Sequence, residues 1–295
     1  MQPEELFGKD YNAFSAEDPF NRNLVEGYIS RRGDNTYGSL LITRVNGDNA
    51  PQLIYCTPKI AYPFDKAGRW HFPEAKRIER YEKLDGTNIF AYIYADATGK
   101  EFLTYKTRLL PFVGDSRFGD FLGMLKDKLG QYPELSLLPW KLGMNLSFEL
   151  WGARNAHLVI YDTPLELSLL FARRGQVILP TSALDCGGVR IAPLRGLVDK
   201  DYVESYQQAQ SEMDATLKEV EDAKYTGQEG EVWYLLTEGG WVLFKCKPET
   251  IEAIHWASGG ISKNSIRTTC INAFENCDNP TVENIVSLLE EDFSQ

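Results

Sequence analysis

Short runs of β-branched and aromatic residues, each ended by a turn-forming group, recur along the chain and limit the folds that it can adopt. In the first 80 residues, turn-forming stretches at 32–35, 46–49 and 65–68 separate apolar runs such as 39–43 and 53–55. Further strand-like runs stand at 89–94, 101–106, 146–150, 158–161, 176–179 and 231–247. Many strands and few helices favour an α+β fold with antiparallel sheets over a regular alternation of strand and helix.

Apolar residues at intervals of three and four predict helices over 199–223 and 117–129. A third helix is predicted from Asn279-Pro280, because asparagine can cap a helix and proline suits its first turn. The 295 residues suffice for one large domain and one small domain.

We therefore expect a sheet-rich domain over 1–249 and a small helical C-terminal module over 250–295. Residues 1–75 are expected either to supply strands to the core or to form a partly separate β-rich accessory region.

The charge balance restricts the partners. The chain has 31 Lys and Arg against 42 Asp and Glu, a formal net charge of −11, so a polyanionic partner would need a local basic patch. The stretch 59–83 has seven cations against four acids and is interleaved with aromatic residues, which suits nucleic acid. A solvated rim over a strand-rich core is the alternative interpretation.

The five cysteines are scattered without CxxC spacing, the acidic start lacks the apolar segment of a secretory signal, and no apolar run nears the ~18 residues of a membrane span. We expect a cytoplasmic protein in a reducing compartment, with no membrane partner.

The strongest local motif is Glu-Lys-Leu-Asp-Gly-Thr-Asn at 82–88, in which Lys83 precedes the turn-forming Asp85-Gly86 and a predicted strand. A lysine amine can act as a nucleophile where desolvation or nearby cations favour its neutral form. By itself the motif is weak, because a solvated lysine before a β-turn gives the same letters.

Four further stretches follow Lys83 in order. They are Thr-Tyr-Lys-Thr-Arg at 104–108, Leu-Ser-Phe-Glu-Leu-Trp-Gly at 146–152, Gln-Glu-Gly-Glu-Val-Trp at 228–233 and Leu-Phe-Lys-Cys-Lys at 243–247. Together with Lys-Leu-Asp-Gly, this order resembles the covalent nucleotidyltransferase superfamily of ATP-dependent DNA and RNA ligases and mRNA capping enzymes. Its motifs I, III, IV and V read K-x-D-G, apolar-Glu-apolar-x-Gly, E-G-x-V and K-x-K. The resemblance covers about 83–247 and implies antiparallel sheets flanked by helices, with a nucleotide cleft between the sheets.

Within that superfamily, Thr87-Asn88 resembles the RNA ligases, since DNA ligases tend to have arginine after K-x-D-G. Only 48 residues follow Lys247 (295 minus 247), too few for the OB domain of DNA ligases and capping enzymes. The resemblance therefore implies an ATP-dependent RNA ligase that joins 5′-phosphate and 3′-hydroxyl RNA ends, with no obligate protein partner evident. A capping-type or other RNA-end nucleotidyltransferase and a non-catalytic RNA-binding module stay open as alternatives.

The resemblance also implies residue roles. Lys83 would attack the α-phosphate of ATP and hold AMP, while Glu82 and Asn88 would contact the nucleotide. Arg108 would bind the ribose or the RNA 5′-phosphate, and Glu149 would hold the ribose hydroxyls.

Glu229 would place Mg²⁺ (or Mn²⁺) and orient Lys83, and Lys245 and Lys247 would neutralise the α-phosphate. Cations near Lys83 are expected to favour its unprotonated form. Tyr161 is the candidate for stacking on adenine. In the C-terminal module, Lys263 and Arg267 are candidates for RNA contact.

Strand alternation gives a geometric expectation for the hairpin over 231–247. A three-residue loop at 238–240 would pair Trp233 with Lys245 and would place Glu229, Glu231, Lys245 and Lys247 on one face. A two-residue loop would shift the register by one and separate the acids from the lysines.

Overall fold

The computed structural model describes residues 1–65, 67–115, 119–199, 201–220 and 224–251. The chain divides into two compact units, Met1–Cys246 and Lys247–Gln295, and every element named below belongs to the first. The predicted helical module lies outside the described residues apart from 250 and 251, and so do Lys263 and Arg267.

The described part is rich in strands and contains few helices. The strands are β1 (Tyr11–Glu17), β2 (Leu24–Ser30), β3 (Leu40–Val45), β4 (Asp48–Ile54), β5 (Arg77–Glu82), β6 (Gly86–Ala95), β7 (Glu101–Thr107), β8 (Asn145–Trp151), β9 (Glu166–Arg174), β10 (Val177–Pro180), β11 (Leu194–Leu197), β12 (Lys218–Glu219), β13 (Tyr225–Thr226), β14 (Glu231–Thr237) and β15 (Gly240–Cys246). The α-helices are α1 (Pro3–Phe7), α2 (Phe121–Gln131), α3 (Glu134–Leu142) and α4 (Tyr202–Thr216), and single 3₁₀ turns occur at Ala153–Asn155 and Thr181–Ala183.

The N-terminal region forms an antiparallel sheet of its own in the order β1-β2-β3-β4. Its buried face packs Val25 and Ile42 against Phe90 and Tyr92 of β6. This region builds a separate sheet that shares a hydrophobic core with the next one, and its division from the rest of the domain stays a prediction.

The central sheet has the antiparallel order β10-β9-β8-β6-β7. On one face, Ile89 pairs with Phe148, and both are buried beneath α2 and α3 together with Met124 and Leu138. On the opposite face, Asn88 of β6 pairs with Glu149 of β8. This polar pair is exceptional in a buried sheet, because burying a carboxylate is costly.

The third sheet has the order β11-β5-β14-β15. Its outer face packs Trp233 against Tyr206 of α4. Its inner face carries Tyr81 and Tyr234, which share a cluster with Trp151 of the central sheet. The two sheets thus face each other, as expected for the open antiparallel sheets of the predicted α+β fold.

Two of the helices lie close to their predicted positions. The segment predicted at 199–223 forms α4, and the one predicted at 117–129 forms α2, which begins after Asp120 accepts a hydrogen bond from the Gly123 amide. Helix α3 was not predicted, and it contains Pro139. The strand predicted at 158–161 is wrong, because this segment makes only an isolated bridge from Val159 to Tyr225.

The aromatic residues of the predicted basic patch are divided between two environments. Phe64, Trp70 and Phe72 pack around Tyr206 of α4, with Trp70 and Tyr206 ring centroids 5.2 Å apart. These rings serve the core, in agreement with the alternative interpretation. Tyr62 stacks on Phe64, with ring centroids 5.2 Å apart, whereas Tyr81 belongs to the cluster on the inner face of the third sheet.

A fully buried arginine ties the N-terminal region to the central sheet. The Arg173 guanidinium of β9 donates to the carbonyl oxygens of Cys56, Gly175 and Asn35 and to the Asn35 side chain. Burial lowers the pKa of Arg173 to about 10. Because its partners include the carbonyl group of buried Cys56, removing the guanidinium leaves a buried acceptor without this donor.

We expect Arg173→Met to lower the free energy of unfolding by about 2–4 kcal/mol, measured by urea denaturation. The neighbouring Arg174→Met is the matched control, since exposed Arg174 bonds only to carbonyls of Leu142 and Gly143. Equal losses in the two variants would contradict the anchoring role of Arg173.

Candidate active site

A cleft with a cavity volume of about 520 Å³ opens between the central and third sheets. The first sheet's connection to β5 also contributes to its wall. Residues that line the cleft include Thr57, Ile60, Tyr81, Glu82, Lys83, Asn88, Arg108, Glu149, Val232 and Tyr234. Five of the predicted site residues therefore share one cavity: Glu82, Lys83, Asn88, Arg108 and Glu149.

Lys83 follows the end of β5, and Glu229 precedes β14, the neighbouring strand. The backbone amide of Lys83 donates to the Gly230 carbonyl at 2.8 Å, and its Nζ forms an ion pair with the buried Glu229 carboxylate. This pair bears on the predicted orienting role of Glu229, because it fixes the direction of the lysine side chain.

The electrostatic environment of Lys83 differs from the cationic environment that was expected from the sequence. Burial acts to lower the pKa of Lys83, but the carboxylates of Glu229, Glu149 and Asp85 outweigh it, so the pKa is raised. The expectation that neighbouring cations favour the neutral amine is wrong, because carboxylates dominate around Lys83. A raised pKa favours the protonated amine, and a bound cation would favour its neutral form.

Asp85 and Gly86 shape the turn after Lys83. Asp85 Oδ2 accepts from the Leu158 and Val159 amides at 2.6 and 2.7 Å. A Cβ on Gly86 would lie 2.2 Å from the Leu150 carbonyl oxygen, so only glycine lets β6 approach β8 here. These two residues of the motif therefore position Lys83 at the mouth of the cleft.

Tyr161 lies behind this turn. Its hydroxyl accepts from the Asp85 amide at 2.9 Å, and its ring packs edge-on against Trp151, with centroids 4.7 Å apart. Adenine stacking on Tyr161 stays a prediction, while the observed contacts give the ring a packing function.

Glu149 is a buried carboxylate on the inner face of the central sheet, 9% exposed. Burial raises its pKa to about 7, against the attraction of Lys83 and Arg108 and with the repulsion of Glu229 and Asp85. A carboxyl group in this state suits hydrogen bonding to a ligand hydroxyl, and such shifts are typical of functional sites.

Two cleft residues have polar atoms without protein partners. Asn88 Nδ2 donates to Ser147 Oγ and to the Phe148 carbonyl, both at 3.0 Å, but its buried Oδ1 has no hydrogen-bond partner. The buried Nε of Arg108 likewise has none. Two residues that line the same cavity therefore contain one buried acceptor and one buried donor without hydrogen-bond partners, as in a site that binds a polar ligand.

The hairpin of β14 and β15 has a two-residue loop, so the predicted register is wrong. Val232 pairs with Lys245 and Glu231 pairs with Cys246. Lys245 shares the face of Val232, which lines the cleft, and its Nζ lies 4.0 Å from the Tyr62 ring centroid. Glu231 points the other way. Glu231 therefore lies on the face away from the cleft, whereas Lys245 lies on the side of the cleft.

Glu231 and Glu82 each form an ion pair with an arginine. Glu231 accepts a two-point hydrogen bond from Arg80 at 2.8 and 2.9 Å on the outer face. Glu82 pairs with Arg195 of β11, a contact that the sequence does not signal because Arg195 belongs to no motif. Lys247 follows β15 as the first residue of the second compact unit, and its role stays a prediction.

No group of three or more His, Cys, Asp or Glu side chains that could hold a metal ion occurs among the described residues. Glu229 and Glu149 nevertheless supply carboxylates to one cleft and are electrostatically coupled. Oxygen donors suit Mg²⁺, which keeps several waters and commonly binds through one or two carboxylates and substrate phosphates. The residues present fit a metal ion that arrives with a nucleotide.

The solved structures that this chain resembles include ATP-dependent ligases. An archaeal ATP-dependent RNA ligase, form 2, superposes with a TM-score of 0.57 at 16% identity, over 98% of this chain and 74% of that one. Its form 1 gives 0.52 at 14% identity, over 95% and 72%. A putative ATP-dependent DNA ligase from Aquifex aeolicus gives 0.54 at 14% identity, over 97% and 68%.

No family model and no curated protein matches the sequence. At these identities the likeness establishes the fold, and the chain has the nucleotidyltransferase fold of the ATP-dependent ligases. This confirms the resemblance inferred from the motifs at the level of fold. Within the described residues, no helix reaches the length and apolar character that crossing a membrane requires.

The raised pKa of Glu149 predicts a pH-dependent stability. Between about pH 4.5 and 7 the folded state holds a proton that the unfolded chain releases, so the free energy of unfolding falls as pH rises. Glu149→Gln removes this penalty. Relative to wild type, its unfolding free energy should rise by up to about 3 kcal/mol from pH 5 to pH 8 in urea denaturation. A constant difference, as expected for exposed Glu101→Gln, would contradict this account.

Proposed function

We propose that this protein is an ATP-dependent RNA ligase that seals 5′-phosphate and 3′-hydroxyl ends through a lysyl-AMP intermediate. The observation that carries the proposal is the placement of Lys83 Nζ in the cleft between two sheets, beside Glu229 and within the field of Glu149. Ligase-like fold and cleft chemistry support the same conclusion.

The proposed reaction has three balanced steps. The neutral Lys83 amine forms a P–N bond to the α-phosphate of ATP, pyrophosphate leaves, and the amine loses a proton. An RNA 5′-phosphate oxygen then attacks the same phosphorus, which breaks the P–N bond and returns the lysine. A 3′-hydroxyl finally attacks the RNA phosphate, forms the phosphodiester and releases AMP.

Residues of this chain would position and neutralise the reactants. Glu229 holds the Lys83 side chain towards the cleft, and Glu149 is placed to bond ribose hydroxyls. Arg108 and Lys245 would meet phosphate oxygens, and Lys247 is assigned the same task. A Mg²⁺ or Mn²⁺ ion held by Glu229 and the phosphates would neutralise charge on the leaving pyrophosphate.

RNA is preferred over DNA as substrate because Asn88 stands where DNA ligases of the superfamily tend to have arginine. Its unpartnered Oδ1 can accept a hydrogen bond from a hydroxyl group. The ligase-like fold is compatible with both nucleic acids. We further assign the enzyme to a reducing intracellular compartment, in keeping with free thiols at Cys56 and Cys186.

Lys83→Ala is expected to abolish transfer of label from α-labelled ATP to the protein in the presence of Mg²⁺. The same variant should still seal RNA that carries a chemically attached 5′-adenylate, because Lys83 is consumed only in the first step. The measurement compares acid-stable label on the denatured chain with sealing of pre-adenylylated RNA.

Exposed Lys100→Ala is the control and should keep both activities. Label that persists in Lys83→Ala would assign the nucleophile to another residue. Label from GTP alone would favour a capping-type transferase. Absence of label from wild type, even after pyrophosphate treatment to clear bound AMP, would favour a non-catalytic RNA-binding module. Nicked DNA sealed as fast as RNA would overturn the substrate preference.

Glu229→Gln should move the pH profile of self-adenylylation. The Glu229 charge is among those that raise the pKa of Lys83, so its removal lowers that pKa and shifts the rising limb of the rate towards lower pH. The height of the profile is also expected to fall, because a metal ligand is lost. Exposed Glu238→Gln is the control, and an unmoved limb in Glu229→Gln would contradict the electrostatic role.

A further inference from the structure

A loop of the N-terminal sheet reaches the wall of the cleft. Residues 31–39, between β2 and β3, carry Tyr37, and two cations lie near its ring. Arg108 Cζ is 5.7 Å and Lys59 Nζ is 5.6 Å from the Tyr37 ring centroid. Because the ring attracts cations, it holds both groups at one place although they come from distant parts of the chain.

The loop is fixed on both sides. Gly38 has φ +71°, and a Cβ there would lie 2.2 Å from the Arg108 carbonyl oxygen, so the two backbones touch. The same carbonyl accepts from buried Lys106 Nζ at 3.0 Å. On the other side, Arg173 Nη2 donates to the Asn35 carbonyl and side chain at 3.1 and 2.8 Å. The loop that carries Tyr37 is therefore held against Arg108, which lines the cleft.

Neither cation is in an ion pair with a described acid, although the charge of Arg108 acts on Glu149. Among the ion pairs of the described residues, none includes Lys59 or Arg108. Asp34 of the same loop is already paired with Arg32 at 2.6 Å. Both cations lie beside the same ring, so an anion bound there would be attracted by both charges. Arg108 also has a buried Nε without a partner.

The position of Lys59 relates this pair to the cleft. Lys59 stands between Thr57 and Ile60, both of which line the cavity, whereas Lys59 itself is exposed. Lys59 is thus exposed beside the cavity and near the same ring as Arg108. A chain with a net charge of −11 needs such local cations to hold a polyanion.

We propose that Lys59, Tyr37 and Arg108 form a subsite for a backbone phosphodiester of the RNA strand whose 5′-phosphate occupies the cleft. The subsite rests on the proposed function and assigns the N-terminal sheet a part in substrate binding. Lys59 and Arg108 contact phosphate oxygens. Tyr37 is a positioning residue, because its ring keeps both cations directed to one ligand.

The test measures binding of a 5′-phosphorylated single-stranded RNA oligonucleotide by fluorescence anisotropy over a series of salt concentrations. Lys59→Ala should weaken binding roughly tenfold at low salt and reduce the slope of log K against log salt by about 0.7, the value for one phosphate contact on a single strand. Lys100→Ala is the matched control, because Lys100 Nζ lies 5.0 Å from the Phe102 ring centroid on an exposed turn and does not line the cleft.

The positioning role of Tyr37 has a separate readout. Tyr37→Phe keeps an aromatic face and should retain the salt slope, whereas Tyr37→Leu should lower it as Lys59→Ala does. Equal urea midpoints for these variants exclude a general loss of folding as the cause. Equal slopes for the Phe and Leu variants would overturn the role of the ring.

The subsite is overturned if Lys59→Ala binds RNA as tightly as Lys100→Ala does. It is also overturned if Lys59→Ala raises the KM for ATP in self-adenylylation while RNA affinity stays unchanged, since Lys59 would then serve the nucleotide. If wild type takes no label from ATP but its RNA affinity depends on Lys59, the proposed ligase activity fails and the subsite stands.

Discussion

The ion pair between Lys83 and Glu229 is the interaction on which the site depends. Lys83 follows one strand and Glu229 precedes its neighbour in the same sheet, so the pairing of β5 with β14 brings together two residues that are 146 positions apart in the sequence. A buried amine without a partner would be costly, and Glu229 therefore keeps Lys83 in the cleft. Facing them, the central sheet presents Glu149, whose charge couples to both. The chemistry thus lies where two antiparallel sheets approach each other.

This arrangement is costly in the absence of ligand. Glu149 is buried with a pKa near 7, and Asn88 and Arg108 each bury a polar atom without a partner. A ribose hydroxyl would donate to Asn88 Oδ1, a phosphate oxygen would accept from Arg108 Nε, and a bound cation would offset the carboxylates around Lys83. Functional sites commonly contain such locally unfavourable groups, which the surrounding structure holds in place.

The order of motifs pointed to Lys83, Glu149 and Glu229, and the structure brings these three side chains into electrostatic contact, while their roles stay predictions. The predicted hairpin register is wrong by one residue. Gly240, with φ +109°, pairs with Thr237, so the loop has two residues. The positions of other side chains depend on tertiary contacts, which the sequence pattern does not report. Trp70 packs against Tyr206 of α4. Tyr37 contacts Arg108, a residue distant in the sequence, and no periodic pattern of the sequence indicates this contact.

The central claim is that Lys83 forms a covalent bond to AMP inside this cleft. The most direct measurement is intact-mass spectrometry after incubation with ATP and Mg²⁺, followed by peptide mapping of the modified chain. The account predicts one adenylyl group per chain, located on the peptide that contains Lys83 and removed by pyrophosphate. An adenylyl group on any other peptide, or a chain that stays unmodified after its bound AMP has been cleared, would contradict it.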